Sequence, residues 1–141
     1  MGRIPPEDEA LLKRYADAVA SRLRLSALVL FGSRARGTAL RTSDYDLAVV
    51  SPDFAGVSPV RRAERLDGLW EGSPAAEEVC LTPEELLSLA SLLLCDVVAE
   101  GIPVRDDGVF AGARTRLAEF ERTGRLRRTP LGWAFLGAGR S

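Results

Sequence analysis

Two short apolar runs that enclose a segment rich in glycine, serine and arginine constrain this chain more than any other feature of its sequence. The first run covers residues 26–31 and stops at Gly32, and the second covers residues 44–51 and begins with Asp44 and Asp46. Short runs of this kind, bounded by glycine or proline, are typical of buried strands. The sequence therefore predicts two strands joined by a polar connection that opens with a short helix.

The connection has the composition of a phosphate-binding turn. Gly32 lets a ligand approach the backbone closely, and the first backbone N–H groups of the short helix are donors without an intrahelical partner. The hydroxyl of Ser33 adds a donor, while Arg34 and Arg36 add planar cations suited to phosphate. The alternative for both arginines is a structural or surface ion pair. The segment predicts a polyphosphate site, although it lacks the spacing and the lysine of a P-loop.

The two aspartates at the start of the second strand are expected on one face of it. Side chains at i and i+2 of a strand share a face, which places Asp44 and Asp46 about 7 Å apart at Cα. Two carboxylates there repel each other unless a divalent cation lies between them. Two metal ions about 3.5–4 Å apart can hold the attacking and leaving oxygens of a phosphoryl or nucleotidyl transfer. The alternative is a turn residue next to a strand-edge charge.

The composition narrows this chemistry further. The chain has no histidine and two cysteines, Cys80 and Cys95. Ser-His-Asp and Cys-His catalysis are excluded, and two cysteines cannot form a four-cysteine zinc site. The cysteines are interpreted as small buried side chains in a reducing compartment. Any metal must be held mainly by oxygen ligands, which favours Mg²⁺, Mn²⁺ or Ca²⁺.

Periodicity and capping signals predict the other elements. Helices are predicted over residues 6–23, 58–72, 82–100 and 109–123, and strands over residues 77–81 and 102–105. Val60, Ala63 and Leu66 are expected on the buried side of the second of these helices. Thr82 and Glu85 are spaced as a capping box. The alternation of helices and strands predicts an α/β (α+β) domain.

Gly32-Ser33, Gly37 and Ser43-Asp44-x-Asp46-Leu47 resemble the GS-x(n)-D-x-D signature of the polymerase-β-like nucleotidyltransferase superfamily. The small size and the motif are most similar to its minimal nucleotidyltransferase (MNT) branch, and the resemblance covers about residues 27–101. The resemblance implies the nucleotidyltransferase fold, a small mixed β-sheet flanked by helices.

The resemblance also implies roles for individual residues. Gly32 and Ser33 would hold the triphosphate, and the two aspartates would bind two Mg²⁺ ions, with Mn²⁺ as a substitute. A third carboxylate on a neighbouring strand would complete the metal site and help to activate the acceptor. That position falls on Glu77, with Glu78 as the alternative, where family members usually carry Asp. A solvated strand start is the other interpretation of Glu77.

The implied activity is transfer of a nucleoside monophosphate, with AMP favoured, from an NTP to an acceptor hydroxyl. Small members of the family are often the antitoxin of a pair with a HEPN ribonuclease, which implies a HEPN-type protein partner and its tyrosine as acceptor.

Two alternatives stay open: a nucleotide-binding module that neutralises a partner with little catalysis, and a small-molecule nucleotidyltransferase of the antibiotic-modifying type. Direct nucleic-acid binding is not indicated, and a homo-oligomer stays open.

Charge and aromatic residues set the C-terminal part of the chain apart. Residues 1–100 have a net charge of −5 and residues 101–141 a net charge of +4. We expect a nucleotidyltransferase domain over residues 1–124 and a basic tail over residues 125–141. Trp133 and Phe135 either anchor this tail on the domain or bind a partner.

Features of the whole chain predict its location. The longest apolar stretch, residues 86–99, is interrupted by two serines and an aspartate, and the N-terminus has no apolar signal core. We therefore expect a cytoplasmic protein without a membrane span.

The absence of Asn and Gln, with one lysine beside eighteen arginines, is typical of a thermophile or of a GC-rich genome.

Overall fold

The structure, a computed structural model, describes residues 4–136 of the chain. The helices are α1 (Pro6–Ala20), α2 (Ser33–Arg36), α3 (Pro59–Glu64), α4 (Pro83–Ser88), α5 (Leu92–Glu100) and α6 (Val109–Arg122), with a 3₁₀ turn at Pro52–Phe54. The strands are β1 (Ala27–Phe31), β2 (Tyr45–Val50), β3 (Ala76–Leu81), β4 (Ile102–Asp106), β5 (Leu126–Thr129) and β6 (Gly132–Phe135). Residues 1–3 and residues 137–141, the last five of the predicted tail, lie outside this range.

Four strands form a mixed sheet in the order β3-β2-β1-β4. Strand β1 runs antiparallel to both β2 and β4, whereas β2 and β3 are parallel. The end of β1 and the starts of β2 and β3 therefore meet at one edge, where Phe31 pairs with Asp46 and Asp46 pairs with Glu77. This mixed sheet between helices confirms the predicted fold class.

The two faces of the sheet carry separate apolar clusters. Leu47 and Val49 of β2 lie on one face in a cluster with residues of α1, such as Leu12. Ala48 and Val50 lie on the other face with residues of α5 and α6. This partition follows the two-residue period of a strand, and it places Asp46 on the face of Ala48. Each helix among residues 4–136 is too short or too polar to span a lipid bilayer.

The helix predicted over residues 58–72 is shorter and turned differently from the prediction. It ends at Glu64, and Val60 (71% exposed) and Ala63 are exposed, whereas Leu66 beyond its end is buried as predicted. Arg62 is the buried residue instead, because its guanidinium donates to the carbonyl of Cys80 at 3.1 Å and pairs with Glu85 at 2.6 Å. A polar contact with distant residues therefore determines which side of α3 faces inward.

The single helix predicted over residues 82–100 is two helices. Leu89 ends α4 in the left-handed region, at a φ of 50°, and is buried there. The hydroxyl of Ser91 then accepts a hydrogen bond from the N–H of Leu94 and starts α5. The break occurs because the serine side chain competes with helical backbone bonding, and it turns α5 onto the sheet. The predicted capping box of Thr82 and Glu85 is confirmed.

The described part of the tail forms a hairpin that the apolar pattern does not reveal. Strands β5 and β6 pair antiparallel, with Leu126 and Trp133 buried in the cluster of α5 and α6. The indole N–H of Trp133 donates to Asp96 of α5 at 2.9 Å. Trp133 is thus an anchor of the tail, while Phe135 stays 44% exposed. Both cysteines are free thiols.

Candidate active site

The turn between β1 and α2 is built around a carboxylate. Gly32 precedes α2 with a φ of 74°, a conformation that disfavours residues with a Cβ. A Cβ placed there would overlap the side chain of Asp46, and Oδ2 of that carboxylate would be the nearest atom. Because Gly32 has no Cβ, the carboxylate of Asp46 can pack directly against the backbone just before Ser33.

Negative charge converges on Asp46. Burial raises the pKa of this carboxyl, and the nearby charges of Glu77 and Asp44 raise it further. The guanidinium of Arg36 acts in the opposite direction and lowers the pKa of Asp46. Repulsion of this kind is what a bound cation relieves. The structure thus brings the two predicted aspartates, Glu77 and Arg36 into one electrostatic neighbourhood.

The structure separates the two adjacent glutamates of β3. Glu77 pairs with Asp46 in the register of the parallel strands and is exposed. Glu78 faces the opposite side of the sheet and accepts a hydrogen bond from the hydroxyl of Tyr15. Burial raises the pKa of Glu78 and also that of Tyr15. Of the two candidates for the third carboxylate, Glu77 therefore lies beside Asp46.

Asp44 lies just outside the strand on which it was predicted. The pairing of β2 with β3 begins at Tyr45, whose N–H donates to the carbonyl of Ala75 at 2.9 Å. Asp44 is the exposed residue before this first bond. The sheet therefore holds Asp46 but does not itself hold Asp44, because the ladder of hydrogen bonds starts one residue later.

The donor set fits a cation that prefers oxygen ligands. Among residues 4–136 no three His, Cys, Asp or Glu side chains are already clustered at metal-binding distances. The oxygens of Asp46, Asp44 and Glu77 nevertheless form the negatively charged edge described above, and the last two side chains are exposed. Carboxylate oxygens are the ligands that Mg²⁺ and Mn²⁺ take. These three residues are thus the ones that would hold such an ion.

The guanidinium of Arg34 is engaged by groups of the protein itself. Its guanidinium donates to the carbonyl of Ser43 at 2.8 and 3.1 Å and to that of Arg41 at 3.3 Å. It also stacks over the ring of Tyr45, and the Arg34 side chain is 13% exposed. The ion-pair alternative describes it better, since Asp8 lies 3.9 Å from its terminal nitrogen.

Arg36 keeps a place at the site. Its guanidinium lies 3.2 Å from a carboxylate oxygen of Glu100, and its side chain is 49% exposed. The charge of Arg36 also lowers the pKa of Asp46, so the guanidinium is near enough to act on that carboxylate. The contact with Glu100 is the surface ion pair given above as the alternative for Arg36, and its role toward phosphate stays a prediction.

Two buried residues beside the site were missed by the sequence analysis. The hydroxyl of Tyr45 donates to a carboxylate oxygen of Asp8 at 2.7 Å, and both side chains are buried. A signal for Asp8 existed in the sequence, because it precedes Leu12 by four residues and so falls on the apolar stripe of α1. An acidic residue on such a stripe indicates a buried partner.

Comparison with known proteins bears on this geometry. Residues 12–103 match the family described as the nucleotidyltransferase domain. A Sulfolobus solfataricus protein described as a "putative nucleotidyltransferase" has a similar structure, with a TM-score of 0.54 and 23% identity over 69% of this chain and 78% of that one. A toxin-antitoxin crystallised with AMP-PNP has a TM-score of 0.54 and 22% identity over 84% and 90% of the two chains.

A mutant of the toxin-antitoxin MntA-HpeT is also similar in structure, with a TM-score of 0.52 and 20% identity over 77% of this chain and 84% of that one. No curated protein matches the sequence significantly. At these identities the solved structures show a common fold, and the match over residues 12–103 shows the family.

Proposed function

This chain belongs to the nucleotidyltransferase domain family, and from that premise we propose that it transfers a nucleoside monophosphate from an NTP, with ATP as the favoured donor, to an acceptor hydroxyl. The acceptor oxygen forms a bond to the α-phosphorus, and the bond between the α- and β-phosphates breaks. Pyrophosphate leaves with the bonding electrons, and the proton of the hydroxyl passes to a carboxylate of the site.

One observation carries the proposal: the carboxylate of Asp46 lies against Gly32 and opposite Glu77, at the edge where β1 turns into α2. This arrangement combines acidic oxygens with the backbone N–H groups that follow Gly32. Acidic residues and phosphate-binding donors are the two components that nucleotidyl transfer requires at one place.

Each residue of this edge has a part in the proposed reaction. The backbone after Gly32 and the hydroxyl of Ser33 bind the triphosphate. Glu77 accepts the proton of the acceptor hydroxyl, and Arg36 balances the negative charge of the donor nucleotide. Mg²⁺ or Mn²⁺, held by Asp44, Asp46 and Glu77, would supply the positive charge that polarises the phosphate oxygens.

The acceptor is proposed to belong to a protein partner. Two of the similar structures are toxin-antitoxin proteins, one of them with AMP-PNP. These similarities support a toxin as the partner of this chain. A HEPN-type protein with a tyrosine as the acceptor is the partner that the resemblance in motif implies. A small-molecule acceptor such as an aminoglycoside is the alternative that the same assay addresses.

The test is incorporation of labelled nucleotide from each NTP with Mg²⁺, measured as a mass shift of candidate acceptors. We expect the wild-type chain to transfer AMP and the Asp46→Asn variant to lose at least about a hundredfold in rate, because a metal-holding carboxylate is removed. Glu77→Gln should lose a similar amount.

Glu78→Gln is the matched control for Glu77→Gln, since it alters the neighbouring residue on the opposite face of β3. It should stay within about threefold of wild type, because an amide oxygen still accepts the hydrogen bond of Tyr15. Equal losses in the two glutamine variants would contradict the assignment of Glu77. Nucleotide binding without transfer to any acceptor would favour a binding module with little catalysis.

A further inference from the structure

One side chain holds both neighbours of Asp44. Arg34 donates two hydrogen bonds to the carbonyl of Ser43, the residue before Asp44, at 2.8 and 3.1 Å. Its guanidinium carbon lies 3.9 Å from the centre of the ring of Tyr45, the residue after Asp44. A further bond reaches the carbonyl of Arg41 at 3.3 Å. The backbone on either side of Asp44 is thus held by the same guanidinium.

Arg34 is itself held from two directions. A carboxylate oxygen of Asp8 lies 3.9 Å from its terminal nitrogen, and the other oxygen accepts the hydroxyl of Tyr45 at 2.7 Å. Trp70 packs against the ring of Tyr45, with the ring centres 5.0 Å apart. The side chains of Arg34 and Asp8 are 13% and 7% exposed. Hydrogen bonds to charged groups are stronger in such a buried setting than in water, so this network is expected to be rigid.

Asp44 needs such support because the sheet does not provide it. The ladder between β2 and β3 begins at Tyr45, and Asp44 is exposed in the segment before it. Bonds within that segment are local: the N–H of Thr38 donates to the carbonyl of Ser33, and the hydroxyl of Ser43 accepts the N–H of Leu40. The contacts of Arg34 are what tie the end of the segment to α1 and α2.

We propose that Arg34 is a positioning residue that fixes Asp44 relative to Asp46 and does not bind the triphosphate itself. The proposal rests on the nucleotidyl transfer proposed above, because it gives Asp44 a metal-holding role. Arg34 acts through the backbone of Ser43 and the ring of Tyr45, and Asp8 orients its guanidinium.

The first test replaces Arg34 with lysine in the full chain. A lysine keeps the charge, but its compact ammonium cannot hold two carbonyls and stack on a ring at once. We expect Arg34→Lys to weaken Mn²⁺ binding and to lower kcat by about 10- to 100-fold, the usual effect of removing the support of a metal-holding residue. The KM for the nucleotide should change by less than about threefold.

Arg24→Lys is the matched control, because Arg24 pairs with Asp53 and its side chain is 77% exposed. It should leave Mn²⁺ affinity and kcat unchanged. Mn²⁺ binding is read from the relaxation of water protons, at a temperature well below the unfolding transition of each variant. A raised KM with unchanged kcat and unchanged Mn²⁺ affinity in Arg34→Lys would overturn the proposal, since it would indicate direct contact with the nucleotide.

A double-mutant cycle asks whether Arg34 acts through Asp44. If it does, adding Arg34→Lys to Asp44→Asn should weaken Mn²⁺ binding no further than Asp44→Asn alone, because the residue that Arg34 positions has already lost its charge. Losses that multiply in the double variant would overturn the proposal.

Amide hydrogen exchange over residues 38–45 separates this proposal from the proposed function. If the wild-type chain neither binds Mn²⁺ nor transfers nucleotide, the proposed function fails, and the catalytic consequence of Arg34 fails with it. Faster exchange in Arg34→Lys than in Arg24→Lys would still show that Arg34 holds the segment, and equal exchange would show that it does not. An active wild type with an equally active Arg34→Lys variant would overturn the positioning role alone.

Discussion

At the scale of single residues, Gly32 meets two requirements at once. Its φ of 74° disfavours any residue with a Cβ, and the space that a Cβ would occupy is filled by the carboxylate of Asp46. Gly68 has a similar φ of 79°, but nothing lies within 4 Å of the position of its Cβ. Substituting Gly68 therefore tests backbone strain alone, whereas substituting Gly32 tests backbone strain together with displacement of the Asp46 carboxylate.

We predict that Gly32→Ala and Gly68→Ala each lower the free energy of unfolding by about 1 kcal/mol through left-handed strain, with an additional loss in Gly32→Ala from the overlap with Asp46. Only Gly32→Ala should slow nucleotide transfer, by about a hundredfold, because it displaces a group at the site. Urea unfolding and the incorporation assay measure the two effects. Equal transfer rates in both variants would contradict the placement of Asp46.

At the scale of elements, Glu85 connects two helices through one carboxylate. It accepts the backbone N–H of Thr82 at 2.9 Å and so closes the capping box of α4. Both of its oxygens also accept hydrogen bonds from Arg62 of α3, at 2.6 and 3.1 Å. The start of α4 is therefore stabilised by a local cap and by an ion pair with a residue 23 positions away.

This ion pair predicts a pH-dependent stability. The hydrogen bond from Arg62 holds the pKa of Glu85 below its ordinary value of 4.5. A carboxyl with a lowered folded-state pKa adds stability that is complete above the unfolded value and is lost as the pH falls through the folded one. Arg62→Met should lower the free energy of unfolding by about 1–3 kcal/mol at pH 7. This difference in unfolding free energy between variant and wild type should become smaller below pH 4.5, because Glu85 then becomes protonated in the wild type as well.

The deficit of Arg62→Met should not vanish in acid, because Arg62 also donates to the carbonyls of Val57 and Cys80. Urea unfolding at pH 7, 5 and 3 measures it. Arg61→Met, at the exposed neighbouring position, is the control and should follow wild type at each pH. A deficit that is the same at all three pH values would show that the Arg62–Glu85 pair adds no pH-dependent stability.

At the scale of the whole molecule, the hairpin of β5 and β6 completes one of the two cores. Leu126 and Trp133 join the cluster that covers the face of Ala48 and Val50, and Trp133 also bonds to Asp96 of α5. Phe135 is two residues further along β6 and is nearly half exposed. The apolar part of the hairpin thus packs on the domain through Trp133 more than through Phe135.

We predict that Trp133→Ala lowers the free energy of unfolding by about 3–5 kcal/mol, because it leaves a large cavity in the core and removes the partner of Asp96. Phe135→Ala should cost less than half as much, since less of its surface is buried. Chemical denaturation of the two variants measures the difference. Equal costs would show that the hairpin does not rely on Trp133 for its anchoring.

Local sequence determined the features whose causes lie within a few residues. The capping box of α4 requires only Thr82 and Glu85, and the alternation along β2 follows from the period of a strand. The turn at Gly32 and the acidic start of β2 were predicted for the same reason. The resemblance in motif added the fold, which the mixed sheet confirms.

Tertiary structure alone decided the features whose partners are distant in sequence. The guanidinium of Arg34 lies near Asp8 of α1, and Glu78 accepts a hydrogen bond from Tyr15, 63 residues away, while Glu77 lies beside Asp46. The packing of the hairpin likewise depends on contacts across the core. A charged side chain can pair with any of many partners, and only the folded chain brings one of them near enough to exclude the others.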